Sequence, residues 1–123
     1  MIEAQNIHKY YDNLHVLKGV DLHIKKSEIV SIVGASGAGK TTLLHILGTL
    51  DAFDNSKSKL TINGVNIGSL SGKKLAKFRN ENLGFIFQFH QLLPEFTALE
   101  NVCIPAFIKN TQKSEVIKRA NRF

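Results

Sequence analysis

Lys40 and Thr41 stand at the end of a spacing that points to phosphate chemistry. With Gly34 and Gly39 they complete Gly-x-x-x-x-Gly-Lys-Ser/Thr over residues 34–41, the P-loop pattern. Gly34, Gly37 and Gly39 let the backbone curl so that successive N–H groups turn inward toward an anion. A helix starting near Lys40 adds unpaired N–H groups and the positive end of its dipole. Lys40 is placed to reach the β- and γ-phosphates of a nucleotide as a point charge, and the Thr41 hydroxyl suits Mg²⁺. Thr42 is expected to satisfy the next turn.

Such a loop works only between a strand and a helix. Ile29, Val30, Ile32 and Val33 form a β-branched run of the kind found in a parallel strand buried on both faces. After the loop, Leu43, Leu47 and Leu50 fall on one helical face. Upstream, Ile2 and Ala4, then Val20, Leu22 and Ile24, alternate with polar residues and predict two half-exposed strands around a turn at Tyr10-Tyr11-Asp12-Asn13. An antiparallel layer beside the parallel one follows from this.

Downstream, residues 51–59 are polar and loop-like. A hairpin is predicted with Leu60 and Ile62 on one arm, Val65 and Ile67 on the other, and Asn63-Gly64 as a type I′ turn. Ser71 can cap a short helix with Leu75 and Phe78 on one face, ending around residues 80–84. Phe85-Ile86-Phe87 reads as a strand that Gln88 ends. Residues 89–96 (FHQLLPEF) are too apolar for an ordinary solvent loop. Thr97-Ala98-Leu99-Glu100 is a capping box for a helix carrying Leu99, Val102, Cys103 and Ala106, which Pro105 should kink or break. A last polar helix is expected from near Ser114 to the end of the chain at Phe123.

Composition narrows the class. At 123 residues, 43% hydrophobic and 21% charged, the chain is of ordinary globular length and composition. No apolar run approaches a membrane span, and no signal-peptide pattern opens the chain, so a cytoplasmic protein is expected. The formal charge of +6 comes from dispersed lysines without interleaved aromatics, which argues against nucleic acid. The single cysteine, Cys103, fits a core position, and the five histidines have no metal-ligand spacing.

With the loop at 34–41, Gln88 and the Tyr11 turn in this order, the chain resembles the N-terminal half of an ABC transporter ATP-binding subunit. The pattern is closest to that of lipoprotein-releasing systems, a branch shared with macrolide exporters and the cell-division ATPase. VLKGVDLHI, VGASGAGKTTLLHILGTLD and LGFIFQFHQLLPEFTALENV carry the resemblance. It implies an α/β, RecA-like P-loop NTPase core with an antiparallel β subdomain. The antiparallel layer and adenine-side turn would occupy residues 1–28, the P-loop strand and helix 29–50, the hairpin, short helix and strand 51–88, and the Q-loop with the start of a helical subdomain 89–123.

The resemblance also implies roles. Tyr11 stacks on adenine, with Tyr10 as the alternative; Ser36, Gly37, Ala38, Gly39, Lys40, Thr41 and Thr42 wrap the phosphates. Gln88 contacts Mg²⁺ and the attacking water, and residues 89–96 meet a transmembrane permease subunit. The parent would be an ATPase homodimer on the cytoplasmic face of the inner membrane. Ser27, where the family has Gly, and Asn55-Ser56-Lys57-Ser58, where it has Pro-x-Ser-Gly, depart from the pattern. The LSGGQ signature, the Walker B Asp, the catalytic Glu and the switch His have no counterpart, so this chain by itself is expected to bind nucleotide without hydrolysing it. A P-loop kinase or GTPase and a non-catalytic nucleotide-binding module are the competing expectations. The Tyr11 turn ahead of the loop weighs against the kinase or GTPase.

Overall fold

Alternating side chains and a tight reversal build the first pair of strands. β1 (Ile2–Tyr11) and β2 (Leu14–Ile24) run antiparallel, with Ile2 opposite Ile24 and Tyr11 opposite Leu14. The turn between them is only Asp12-Asn13, Asp12 taking the left-handed conformation at φ 50°. Tyr10 and Tyr11, expected in the turn, are instead the last residues of β1. Aromatic side chains favour the pleated surface, and Asp tolerates the reversal better than they do. β1 is bulged, with register shifts between Ala4 and Tyr10 and a positive φ at Asn6.

The other edge of β1 pairs with β3 (Lys59–Ile62), which returns through Asn63-Gly64 into β4 (Val65–Asn66). Both turn residues have positive φ, 48° and 80°, as a type I′ turn requires. The sheet order is therefore β2-β1-β3-β4, antiparallel throughout. A single 3₁₀ turn (Ile67–Ser69) follows, capped by the Asn66 side chain.

In this computed structural model residues 1–122 are described, and they form two compact units, Met1–Leu75 and a second from Ala76 onward. The core of the first contains Ala4, Ile7 and Leu17 from the β1–β2 pair, Leu60, Ile62 and Ile67, and Leu43, Ile46 and Leu47 of α1 (Lys40–Leu47). Ile46 takes the place expected for Leu50, which lies beyond the helix and is exposed.

The expected strand at 29–33 is not formed. Residues 28–34 are irregular, and Ile29 and Val33 are 96% and 87% exposed. A strand exists only through its neighbours' hydrogen bonds, and no described segment pairs with this one. The same holds for Phe85-Ile86-Phe87: Ile86 is fully exposed, and the flanking rings stack on each other at 5.6 Å. The antiparallel layer is thus present, and among the described residues the parallel one is not.

The remaining elements are helical. α2 (Gly72–Asn82) buries Phe78, α3 (Ala98–Ile108) buries Cys103, and α4 (Lys113–Ala120) buries Val116. Phe123, where α4 was expected to end, lies outside the described residues. α3 opens on the predicted capping box: Glu100 N–H donates to Thr97 Oγ1 at 3.2 Å, and Thr97 N–H to Glu100 Oε2 at 2.7 Å. The Thr97 N–H, and after it the Thr97 hydroxyl, hold the Glu100 carboxyl below its usual value. Pro105 neither breaks nor ends the helix. It removes one N–H, while its own carbonyl accepts from Lys109 N–H and the Asn80 amide.

The apolar loop before α3 is held by one side chain. Asn101 Nδ2 donates to the carbonyls of Leu93, Phe96 and Thr97 at 3.0–3.1 Å, and Asn101 Oδ1 accepts from Leu93 N–H at 2.8 Å. Asn101→Ala takes this partner from the Leu93 N–H and the Phe96 carbonyl, while the Leu93 and Thr97 carbonyls keep the backbone N–H groups of residues 96 and 101, a loss of about 1–2 kcal/mol locally. Hydrogen exchange should then accelerate at residues 93–97 and stay unchanged in α1; unchanged exchange at 93–97 would contradict this role.

Candidate phosphate-binding site

The loop at 34–39 turns because two of its glycines adopt left-handed conformations that strain most other residues. Gly37 and Gly39 have φ of 77° and 87°, whereas Gly34 does not need a positive φ. The expectation that all three glycines supply the curl is corrected to these two. Gly39 is doubly constrained: a Cβ there would lie 3.0 Å from Leu17 Cδ2 and 3.3 Å from Val16 Cγ1. The loop is thereby seated directly on β2.

α1 begins immediately afterwards, with Gly39 as its N-cap and no capping side chain. The first-turn N–H groups therefore have no internal partner and keep their capacity for an external acceptor. No acidic residue lies in the first turn to compete. Lys40 Nζ folds over the loop and donates to the carbonyls of Gly34 and Ala35 at 2.9 and 2.6 Å. The ammonium thus stands on the same loop as the uncapped start of α1, and the combination can hold a multiply charged anion.

Ser36, Ala38 and Thr41 are exposed around the curl, and Thr42 is half-buried. Mg²⁺ prefers hard oxygen donors. The exposed Thr41 hydroxyl meets that requirement, and Gln88 offers an amide oxygen from an exposed bend in the second unit. The described residues of the first unit bring together Ser36 to Thr42; Gln88 belongs to the other unit.

Tyr11 is placed by an interaction that sequence reading missed. Its hydroxyl donates to Asp51 Oδ2 at 2.6 Å, while Lys9 Nζ donates to Asp51 Oδ1 at 2.6 Å and to the Ala52 carbonyl at 2.7 Å. Lys9 also lies 4.8 Å from the centroid of the Tyr11 ring. Asp51 follows α1 closely, so the end of β1 is tied to the far end of the helix that carries the loop. Partial burial pushes the Asp51 carboxyl up, but the bonds from Lys9 and Tyr11, the Lys9 charge and the Ala52 N–H outweigh it and hold it below the ordinary value. Tyr10 stacks instead on His15, ring centroids 4.1 Å apart. Only a polar loop was legible around Asp51, because nothing local says which strand its carboxylate meets.

A depressed carboxyl contributes stability above its unfolded value and loses it as pH falls through the folded one. Asp51→Asn keeps an acceptor but removes the charge, and should cost about 1–2 kcal/mol near neutral pH. The difference from wild type should shrink as pH drops below about 4. Thermal unfolding across pH measures it; equal melting temperatures at neutral pH would contradict the linkage.

Residues 17–123 match the ABC transporter family. The chain is 59% identical over 122 residues to the lipoprotein-releasing system ATP-binding protein LolD of Porphyromonas gingivalis, covering 99% of this chain and 55% of that protein. It is 46% identical over 119 residues to the protein of the same name from Aquifex aeolicus, covering 97% and 52%. Among solved structures it is similar to a dimeric ATP-binding cassette in a post-hydrolysis state bound to ADP and Pi. That likeness has a TM-score of 0.89 and 37% identity over 99% of this chain and 55% of that one. The chain spans about half the length of the relatives it matches, and the fold is that of the first half of an ABC ATPase. The loop at 34–41, the antiparallel sheet and these likenesses agree: the chain belongs to the ABC transporter ATP-binding family.

Proposed function

We propose that this chain is the nucleotide-binding part of an ABC ATPase that couples ATP binding and hydrolysis to a membrane permease, in lipoprotein release from the inner membrane. The observation that carries the nucleotide assignment is the uncapped start of α1 behind the left-handed Gly37 and Gly39, with Lys40 folded over the loop. Ser36 to Thr42 would wrap the phosphates, and Tyr11, exposed at the end of β1, would stack on adenine. Mg²⁺, when bound, neutralises charge on the phosphates. Thr41 would supply one ligand, and Gln88 a second by the role the resemblance gives it.

The apolar loop at 89–96, with Phe89 74% exposed and Leu92, Leu93 and Phe96 also exposed, is our candidate for the permease contact. The whole protein would work as an ATPase homodimer at the cytoplasmic face of the membrane. The sequence holds no apolar run ending in an acidic pair. We therefore expect these 123 residues alone to bind nucleotide and to release phosphate at no measurable rate. Macrolide export or cell division is the alternative within the same branch.

ATP with Mg²⁺ should raise the melting temperature of the chain, by an amount set by ligand concentration over Kd. A concentration of about 100 times Kd corresponds to about 2.7 kcal/mol. Lys40→Ala should lose most of that shift. An equal shift in the two proteins would leave the loop without a specific phosphate site, and steady phosphate release by the wild-type chain would contradict the division of labour above.

A further inference from the structure

His8 and His15 lie outside the phosphate loop and have no part in the nucleotide reading. They face each other across β1 and β2, His8 Nδ1 being 2.9 Å from His15 Nε2, with the rings stacked at 5.1 Å. Tyr10 stacks on His15 nearly parallel, at 8°, and the Lys57 ammonium lies 5.8 Å from the Tyr10 centroid. The same cluster fastens the hairpin to residues 54–58. His8 N–H donates to Ser58 Oγ at 2.8 Å, and Asp54 N–H to the His8 carbonyl at 3.1 Å.

The number of protons this cluster tolerates is limited by its acceptors. Asn6 Nδ2 donates to the Lys57 carbonyl at 3.0 Å, which fixes the amide and turns its oxygen to His8 Nε2, also at 3.0 Å. An amide oxygen only accepts, so His8 carries a proton on Nε2, and the neutral ring offers Nδ1 as an acceptor to His15 Nε2–H. One further proton keeps the contact a hydrogen bond on either ring: on His15 Nδ1, or on His8 Nδ1, which then donates to Nε2 of a neutral His15. With both rings protonated, two N–H groups and two positive charges oppose each other at the 2.9 Å contact.

We propose that His8 and His15 form a proton-sensitive latch on the β1–β2 hairpin, closed while they hold at most one proton beyond neutral, and open when both are cationic. Opening frees the Tyr10 stack and loosens the end of the hairpin that also presents Tyr11.

The surrounding charges favour release in acid. Lys18 sits opposite His8 on β2, and Lys57 lies on the loop side. Asp54 on that loop is the acid whose charge couples to His8, and Asp21 on β2 is occupied by Asn6 N–H. Partial burial, then the charges of His8 and Lys18, hold the His15 ring below the ordinary imidazole value, with Lys57 adding to this and the Leu17 backbone opposing it. The folded hairpin therefore binds fewer protons than the unfolded chain just below that ordinary value, and its stability falls as pH falls through this window. The latch is a property of the hairpin alone. A pH effect on nucleotide affinity would rest additionally on Tyr11 meeting adenine.

Imidazole NMR of the full chain, titrated from about pH 8 to about pH 4.5, tests the latch. The two rings should protonate in separate steps, the lower one below the ordinary imidazole midpoint, and the Tyr10 ring signals should shift at that lower step. His15→Phe keeps an aromatic partner for Tyr10 and cannot be protonated, so the Tyr10 signals should stay flat. Independent titration of both rings at ordinary midpoints, or Tyr10 signals that move equally in wild type and His15→Phe, would overturn the proposal. Should circular dichroism show that His15→Phe is unfolded, His8→Gln serves the same purpose: loss of the acid step at Tyr10 supports the latch and its persistence refutes it.

Discussion

A helix that begins with bare N–H groups has to be held still before it can hold anything else. α1 starts at Lys40 with no side-chain cap, and the first unit is arranged around that end. Gly39 sits so closely against Leu17 and Val16 that a Cβ would need those side chains to give way, which seats the loop on β2. Leu43, Ile46 and Leu47 are buried in the same core as Ile7 and Leu60. Beyond the helix, Asp51 joins Lys9 and Tyr11 on β1. The antiparallel sheet therefore contributes position: it braces the phosphate end directly and the other end through one carboxylate.

The apolar surface follows a different logic. Ile29, Val33 and Ile86 are of the residue types that fill buried strands, yet they are among the most exposed in the chain. Each lies in an irregular segment whose backbone has no strand neighbour among the described residues. Their residue types suit a paired strand, and among the described residues no such pairing is made. Period and β-branching report the environment a segment is suited to, whereas a strand is made by partners.

That distinction explains what was legible. The type I′ turn at Asn63-Gly64, the capping box at Thr97 and the helix start at Lys40 are local: their hydrogen bonds or backbone angles depend on residues within a few positions. All three could be read from the sequence. The glycine turn before that helix was legible for the same reason, although Gly37 and Gly39, and not Gly34, take the positive φ. Asp51, Asn101 and the His8–His15 pair were not, since each acts through a partner that only the folded chain places beside it. Tyr11 falls between the two cases: the resemblance suggested a stacking surface there, but its hold on Asp51 needed the sheet. Pro105 shows the limit of a local rule, because a helix can lose one N–H and continue when its other groups are satisfied.

The account rests on the claim that the N–H groups of the curl at 34–42 receive phosphate. Backbone amide exchange measured residue by residue, with and without ATP and Mg²⁺, tests it most directly. The account predicts slowed exchange and shifted amide signals at Gly37 to Thr42, with little change in β3, β4 and α4. Protection spread evenly over the chain, or absent from residues 37–42 while ATP is bound, would contradict it.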